Sequence, residues 1–205
     1  MFFSFDGIDG TGKSTQVRLF EETLRSRGFD VVLCRDPGST QLGERVRELL
    51  LSIDSDTPIN RRSEMLLYMA ARAQLVDQVI RPALEAGRVV IADRYLLANV
   101  VYQGHAGGMD PEQIWQVGHV ATGGLMPDCV FVLDTSIESA NHRLNRSLDR
   151  MESQGEEYRE RVRQGFLDEA ARAVERIHVI DAGQSVEAVQ ADIWRIAAKL
   201  LNVSQ

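Results

Sequence analysis

Cysteine and long hydrophobic runs are both scarce in this sequence of 205 residues. The two cysteines, Cys34 and Cys129, each lie in a short apolar run and have neither metal-site nor redox-pair spacing, so we expect buried structural thiols. No apolar run approaches the roughly 18 residues that a membrane-spanning helix needs. Residues 1–5 reach Asp6 without a basic leader, so we expect no signal peptide, no membrane partner and a cytoplasmic protein.

Net positive charge is also lacking. The formal net charge is −7 at pH 7, which argues against broad nucleic-acid binding, because that binding requires a cationic face. The content of 44% hydrophobic and 26% charged residues is typical of a globular protein. No linker, repeat or low-complexity segment divides the chain, and we therefore predict a single domain over residues 1–205.

Short apolar runs alternate with helical patterns along the chain. The runs cover 2–5, 30–34, 88–92, 130–133 and 177–180, and the helical patterns cover 13–27, 41–51, 60–86 and 185–201. Runs that are apolar on both faces are typical of parallel strands between helices, so the pattern predicts a three-layer α/β sandwich with five parallel strands. Ligands bind beyond the carboxyl ends of such strands. The polar residues that follow the runs are Asp6, Arg35, Asp36, Asp93, Arg94, Asp134 and Asp181.

A phosphate-binding pattern, G-x-x-x-x-G-K-[ST], occupies residues 7–14 between the first predicted strand and the first predicted helix. This phosphate loop consists of Gly7, Ile8, Asp9, Gly10, Thr11, Gly12, Lys13 and Ser14. Its glycines allow backbone N–H groups to approach a triphosphate closely, and the helix N-terminus adds partial positive charge. Lys13 can bridge the β- and γ-phosphates, and Ser14 can ligate Mg²⁺. The pattern therefore predicts ATP and Mg²⁺ as ligands.

Two further pairs of residues suggest a second, anionic substrate. Arg72 follows Tyr68 by one helical turn, and an aromatic plate beside a guanidinium suits a nucleobase. The alternative is a buried tyrosine with an arginine at its rim. Asp93 and Arg94 end the third predicted strand, where the carboxylate can hold a water on Mg²⁺ and the arginine can clamp a phosphate. The alternative is a structural ion pair between the two.

The chain resembles the thymidylate kinases, nucleoside monophosphate kinases of the P-loop class, over nearly its whole length. The shared segments are FDGIDGTGKST (5–15), RDPGST (35–40), AAR (70–72), DRY (93–95), YQG (102–104) and LDRME (148–152). The resemblance implies a P-loop NTPase fold with a mobile lid. It also implies the reaction ATP + dTMP = ADP + dTDP, a step in dTTP biosynthesis, and a homodimer.

The resemblance also implies roles for individual residues. Asp9, Lys13, Arg94 and Arg150 would be catalytic. The residues that would contact dTMP are Asp9, Pro37, Tyr68, Arg72, Arg94, Asn99, Tyr102 and Gln103. The phosphate loop, Thr15 and Arg143 would bind ATP, with Arg143 near adenine, and Ser14 and Asp93 would hold Mg²⁺, Asp93 through water. Many relatives carry Ser where this chain has Ala98, so one polar contact to the base would be either absent or supplied by Asn99.

In this family the arginine that stabilises the transferring phosphoryl group comes from the phosphate loop or from the lid. The loop position is Gly10 here, so the resemblance assigns the role to the lid, at about residues 146–156, and to Arg150 within it. Arg146 shares a helical face with Arg150 and is left undecided, and a solvated basic stripe is the alternative. Two other functions stay open: a kinase for a different nucleotide or deoxynucleoside, and a nucleotide-dependent binding module without turnover.

Overall fold

The five predicted strands form one parallel sheet. In a computed structural model that describes residues 1–51, 58–143 and 155–203, they are β1 Phe2–Asp6, β2 Val31–Arg35, β3 Val89–Asp93, β4 Cys129–Asp134 and β5 Ile177–Asp181. All neighbouring strands run parallel in the order β2-β3-β1-β4-β5. The fold is therefore confirmed, and each strand end lies within one residue of its predicted position.

Helices cover the sheet on both faces. They are α1 Lys13–Ser26, α2 Gln41–Leu51, α3 Arg61–Leu75, α4 Arg81–Glu85, α5 Leu96–Asn99, α6 Pro111–Thr122, α7 Ile137–Arg143, α8 Glu156–Arg172 and α9 Val186–Leu200. Alternate residues of a strand point to opposite faces, so Phe3 and Phe5 pack with α1 and α9. Phe2 packs with α3 and α6 on the other face. This layering leaves the carboxyl edge of the sheet to the loops that carry the predicted site.

The predicted helix over 60–86 is interrupted by a wide helical turn at Val76–Ile80. Within it, the backbone N–H of Arg81 donates to the carbonyl of Val76, five residues back. Pro82 follows directly and has no N–H to continue the regular pattern, which accounts for the change of pitch at this point. A second wide turn, Val100–His105, extends α5 and carries residues that the resemblance assigned to dTMP.

The edge strands differ from the expectation that every strand is covered on both faces. All five residues of β1 are buried, whereas Leu33 of β2 and Val179 of β5 are 43% and 45% exposed. β2 and β5 form the two edges of the sheet, where the helices over each face cover less of a strand than they do at the centre. Cys34 and Cys129 are buried free thiols, as predicted, and burial raises the pKa of each to about 12. Within the described ranges no helix is long and apolar enough to span a bilayer.

Candidate active site

The phosphate loop fits tightly between the end of β4 and α7. Gly7 has φ 121°, and a Cβ there would overlap the carbonyl oxygen of Leu133. Gly10 has φ 91°, and a Cβ there would overlap the carbonyl oxygen of Ala140. Glycine is therefore required at both positions by backbone conformation and by space. An arginine at position 10 would bring its Cβ into the carbonyl oxygen of Ala140, so the loop cannot carry an arginine there while α7 keeps this position.

Lys13 lies at the start of α1 and is only 7% exposed. Its Nζ donates to the carbonyls of Gly7 and Ile8, at 2.9 and 2.8 Å, and lies 3.4 Å from Oδ1 of Asp9. Burial, followed by repulsion from Arg94, lowers the pKa of Lys13 below its usual value. The ammonium group therefore lies inside the curve of the loop, where phosphate oxygens can replace the carbonyls.

Arg94 and Asp9 form an ion pair at the mouth of the loop, with 2.8 Å between Nη2 and Oδ1. Arg94 adopts the left-handed conformation, φ 68°, while its N–H donates to the carbonyl of Phe5 at 3.0 Å. Strain of this kind is found where function fixes a side chain. Tyr102 completes the group, since its hydroxyl donates to Oδ2 of Asp9 at 3.4 Å. Burial alone would raise the pKa of Asp9, but Arg94 and Lys13 outweigh it and lower the pKa well below its usual range.

Asp6 precedes the loop and is completely buried at the end of β1. Its Oδ2 accepts a long hydrogen bond of 3.5 Å from the hydroxyl of Ser4, and its Oδ1 has no hydrogen-bond partner among the described residues. Burial raises the pKa of Asp6 to about 7, although Arg94 and Lys13 act in the opposite direction. The sequence analysis placed Asp6 at a strand end but assigned it no role, because its burial depends on the packing of distant elements.

Two cavities meet at the carboxyl edge of the sheet. A large cleft of about 1000 Å³ runs along the phosphate loop to the start of α9, and a small pocket of about 110 Å³ opens beside it. The wall between them is formed by Asp9, Asp36, Arg47, Leu51 and Arg94, which line both cavities. A group bound in one cavity can therefore reach a group bound in the other.

The small pocket is lined by all eight residues that the resemblance assigned to dTMP. Its lining includes Pro37, Tyr68, Arg72, Asn99, Tyr102 and Gln103, together with Ala98. Arg72 is 1% exposed, whereas Tyr68 is only half-buried, so the alternative of an arginine at the rim of a buried tyrosine is wrong. The pocket lining thus combines an accessible aromatic side chain with a buried guanidinium.

A chain of hydrogen bonds runs behind this pocket. Arg72 Nε donates to Asp36 at 2.5 Å, and its Nη1 donates to Oδ1 of Asn99 at 3.0 Å. The Asn99 amide donates to Gln103 at 2.6 Å, and the Gln103 amide donates to Glu64 at 2.9 Å. Burial raises the pKa of Asp36 above its usual value, although Arg72 opposes the shift. Arg72 is therefore held firmly, with most of its donors engaged inside the protein.

The large cleft is lined by the residues predicted for ATP and Mg²⁺, except Gly7 and Ile8. Ser14 and Asp93 both line it, and Arg94 pairs with Asp9 rather than with Asp93 in the described part of the chain. The predicted alternative of an Asp93–Arg94 ion pair is therefore wrong. Nucleotide-bound Mg²⁺ takes most of its ligands from phosphates and water, so one hydroxyl and one carboxylate fit it. Gly12, at the N-terminus of α1, contributes no side-chain cap that would compete for the helix N–H groups.

Arg143 lies at the far end of the same cleft. Its Nη1 donates to the carbonyl of Ala182 at 2.8 Å, and the neighbouring wall is formed by residues 184–186. The predicted lid arginines, Arg146 and Arg150, and all but the last two residues of the predicted lid lie outside the described residues.

Two arginines near the site were missed by the sequence analysis. Arg47 lines both cavities and donates to the carbonyl of Pro37 at 3.1 Å. Arg159, on α8, donates to the backbone carbonyl of Asp9 at 3.2 Å. The chain contains 23 lysines and arginines, and arginine makes up all but Lys13 and Lys199, so composition gives these two no distinction. Arg47 carried one weak signal, its position one helical turn after Gly43 in the helix that follows the shared segment at 35–40.

The parallel sheet, the glycine-rich loop leading into α1 and the second pocket at the strand ends define a P-loop kinase. The sequence profile of the family named Thymidylate kinase matches residues 5–193. A thymidylate kinase of Rhodopirellula baltica is 47% identical over 193 residues, covering 94% of this chain and 78% of that protein. One of Bifidobacterium longum is 47% identical over 195 residues, covering 94% and 95%.

A solved structure agrees with these sequence matches. The crystal structure of thymidylate kinase from Ehrlichia chaffeensis superposes with a TM-score of 0.78 at 31% identity, covering 96% of this chain and 98% of that one. The chain belongs to the thymidylate kinase family, and the resemblance noted in its sequence is confirmed.

Proposed function

We propose that the chain transfers the γ-phosphoryl group of ATP to dTMP and releases ADP and dTDP. One observation carries the proposal: the large cleft at the phosphate loop and the small aromatic pocket share a wall that contains Arg47 and Arg94. Two anions facing each other across that wall need positive charge between them. Phosphoryl transfer depends mainly on such positioning and charge stabilisation, and a phosphate acceptor is already an anionic nucleophile, so no general base is required.

The reacting phosphates would be held from three directions. Loop N–H groups and Lys13 would hold the β- and γ-phosphates of ATP, once Lys13 exchanges its carbonyl contacts for phosphate oxygens. Arg94 and Arg47 would hold the phosphate of dTMP. Asp9 accepts hydrogen bonds from Arg94 and Tyr102, and we assign it the 3′-hydroxyl of the acceptor sugar and the alignment of Arg94.

The base would occupy the small pocket. Tyr68 would stack on thymine, and Arg72, fixed by Asp36 and Asn99, would direct a remaining Nη2 donor to a thymine carbonyl. Gln103 and Tyr102 would line the sugar side, with Pro37 opposite. Ala98, at the position where many relatives carry Ser, offers no polar atom of its own side chain, so Asn99 and Gln103 would supply the polar contacts to the base.

Mg²⁺ would be ligated by the Ser14 hydroxyl and, through water, by Asp93, and it would neutralise charge on the β- and γ-phosphates of ATP. Arg143 would lie beside adenine. We propose that all these groups belong to the single domain 1–205.

By family resemblance, Arg150 of the lid would stabilise the transferring phosphoryl group. Arg150→Ala should then lower kcat far more than it weakens dTMP binding, whereas a loss confined to binding would exclude that role.

A homodimer is part of the proposal. α3 and α6 pack side by side, and the outward-facing Leu66 and Val120 are 49% and 84% exposed. Apolar side chains on two adjacent helices suit a self-complementary interface. Sedimentation equilibrium should give twice the chain mass for the wild type and a shift toward the monomer for Val120→Asp, and a monomeric wild type would refute the dimer.

The test of the function is ADP formation from ATP and Mg²⁺ with dTMP, dUMP, dCMP, dGMP and dAMP in turn. We expect rapid turnover with dTMP and much slower turnover with the others. Faster turnover with another monophosphate would keep the phosphate-loop chemistry and overturn the assignment of the small pocket. ATP binding without acceptor-dependent turnover would instead identify a binding module.

A further inference from the structure

Arg159 is a buried cation placed directly behind the phosphate loop. It lies in the first turn of α8 and is 8% exposed. Its Nη2 donates to the backbone carbonyl of Asp9 at 3.2 Å, and its Nη1 donates to the side-chain Oδ1 of Asn141 on α7. Its partners in the described ranges are thus a carbonyl and an amide oxygen, and no carboxylate of those ranges forms an ion pair with it. A guanidinium is costly to bury, so its position between two fixed oxygens calls for a reason.

Neighbouring arginines of α8 are arranged differently. Arg161 is exposed and lies over the ring of Tyr158, and Arg163 forms a two-pronged ion pair with Asp134, at 2.7 and 2.9 Å. Among these three, only Arg159 contacts the phosphate loop. Tyr158, next to it, donates to the carbonyl of Tyr102 at 2.9 Å. The start of α8 is therefore bonded both to the loop and to the segment that lines the small pocket.

The geometry of one peptide unit gives this contact a consequence. A trans peptide is planar, and its C=O and N–H point in opposite directions. Arg159 holds the carbonyl of Asp9, so the N–H of Gly10 in the same unit is directed away from Arg159. Gly10 lines the large cleft, whereas Arg159 does not. Gly10 has a φ of 91° and no Cβ, so its own side chain does not limit the rotation of this peptide unit.

We propose that Arg159 is a positioning residue, which ties α7, α8 and the phosphate loop together and fixes the Asp9–Gly10 peptide so that its N–H faces the phosphates of the nucleotide. The inference rests on the proposed function for its effect on turnover. It gives α8 a second role beside covering the sheet: the helix that follows the 144–154 segment sets the orientation of a donor in the loop. Preorganised backbone donors of this kind are a large part of phosphoryl-transfer catalysis.

The test compares Arg159→Met with Arg161→Met, a matched change of an exposed arginine on the same helix. Arg159→Met should lower kcat by about tenfold or more while the KM for dTMP changes less than about threefold, and Arg161→Met should leave both within about twofold. Arg159→Lys should recover little, because an ammonium group cannot span both oxygens. A wild-type kcat in Arg159→Met, or full rescue by Lys, overturns the proposal.

Substitution of Asn141 provides a second test, in which the buried Arg159 side chain is left in place. Asn141 is exposed, and Asn141→Ala should lower kcat in the same direction by a smaller factor. The kcat of the double variant should be no lower than that of Arg159→Met, because Asn141 acts on the loop only through its hydrogen bond to Arg159. If the two single losses in kcat multiply in the double variant, the proposed connection is refuted.

A binding measurement separates this inference from the proposed function. Calorimetric titration with the non-hydrolysable analogue AMP-PNP, with Mg²⁺ and without acceptor, should show weaker binding by Arg159→Met than by Arg161→Met. That result would stand even if the wild type failed to phosphorylate dTMP, which would refute the proposed substrate alone. Equal AMP-PNP affinities of the two variants would overturn the role of Arg159.

Discussion

Replacing Asp6 by asparagine should stabilise the protein, and increasingly so as the pH rises. The unfolded chain releases this proton near pH 3.8, and burial raises the pKa in the folded state to about 7. Between these values the folded protein binds more protons than the unfolded chain, so the Asp6 carboxyl contributes a loss of stability with rising pH. The difference between a pKa of 3.8 and one of about 7, at 1.36 kcal/mol per pH unit, gives a penalty of about 4 kcal/mol above pH 7. Asparagine resembles the protonated carboxyl in shape and does not titrate.

The measurement is urea unfolding of the wild type and Asp6→Asn at pH 5, 6, 7 and 8. The stability advantage of the variant should grow by about 1.4 kcal/mol per pH unit up to pH 7 and then level off. A constant advantage or deficit at all four values would reflect the new amide and its bond to Ser4, and would refute the reasoning. Asp30→Asn, which alters an exposed carboxylate, is the control and should leave the pH dependence of the wild type unchanged.

Three further predictions concern the loop and the small pocket. Lys13→Ala should reduce kcat by orders of magnitude with a nearly unchanged melting temperature, and near-normal turnover would rule out the assigned role of the loop. Gly10→Ala should destabilise the protein by about 1–3 kcal/mol, measured by urea unfolding, since the new Cβ meets the carbonyl of Ala140; an unchanged midpoint would contradict that contact. Arg72→Met should cost about 3–5 kcal/mol in the same assay, because it leaves Asp36 buried and unpaired, and a loss below about 1 kcal/mol would show that the carboxyl is easily rehydrated.

The fold could be predicted closely because its signals are local. The apolar runs of the strands and the glycine-rich loop are contiguous in sequence, and the alternation of strands with helices predicts a parallel sheet. The wide turn at Val76–Ile80 was not predicted, since the spacing of apolar residues changes little when one turn widens. The partial exposure of β2 and β5 was also missed, because edge positions are set by strand order rather than by composition.

The site could be predicted only where a motif marks it. The phosphate loop and most of the residues that line the small pocket were predicted as site residues through the pattern at 7–14 and the family resemblance. Arg47 and Arg159 reach the site from elements with no motif of their own. The carboxyl of Asp6 stands beside the motif, yet its perturbed pKa arises from packing around β1, which no spacing in the sequence encodes.

The hydrogen-bond chain behind the small pocket has a fixed direction. Arg72 can only donate, so Asn99 must turn its oxygen toward Arg72 and its NH₂ toward Gln103; Glu64, as a carboxylate, accepts at the other end. If the amide of Asn99 or Gln103 were flipped, a donor would face a donor and an acceptor would face an acceptor. Altering one member would therefore force its neighbours to reorient or leave them unpaired. A change in the polar lining of the small pocket would require coordinated substitutions across α3, α5 and the wide turn that follows α5.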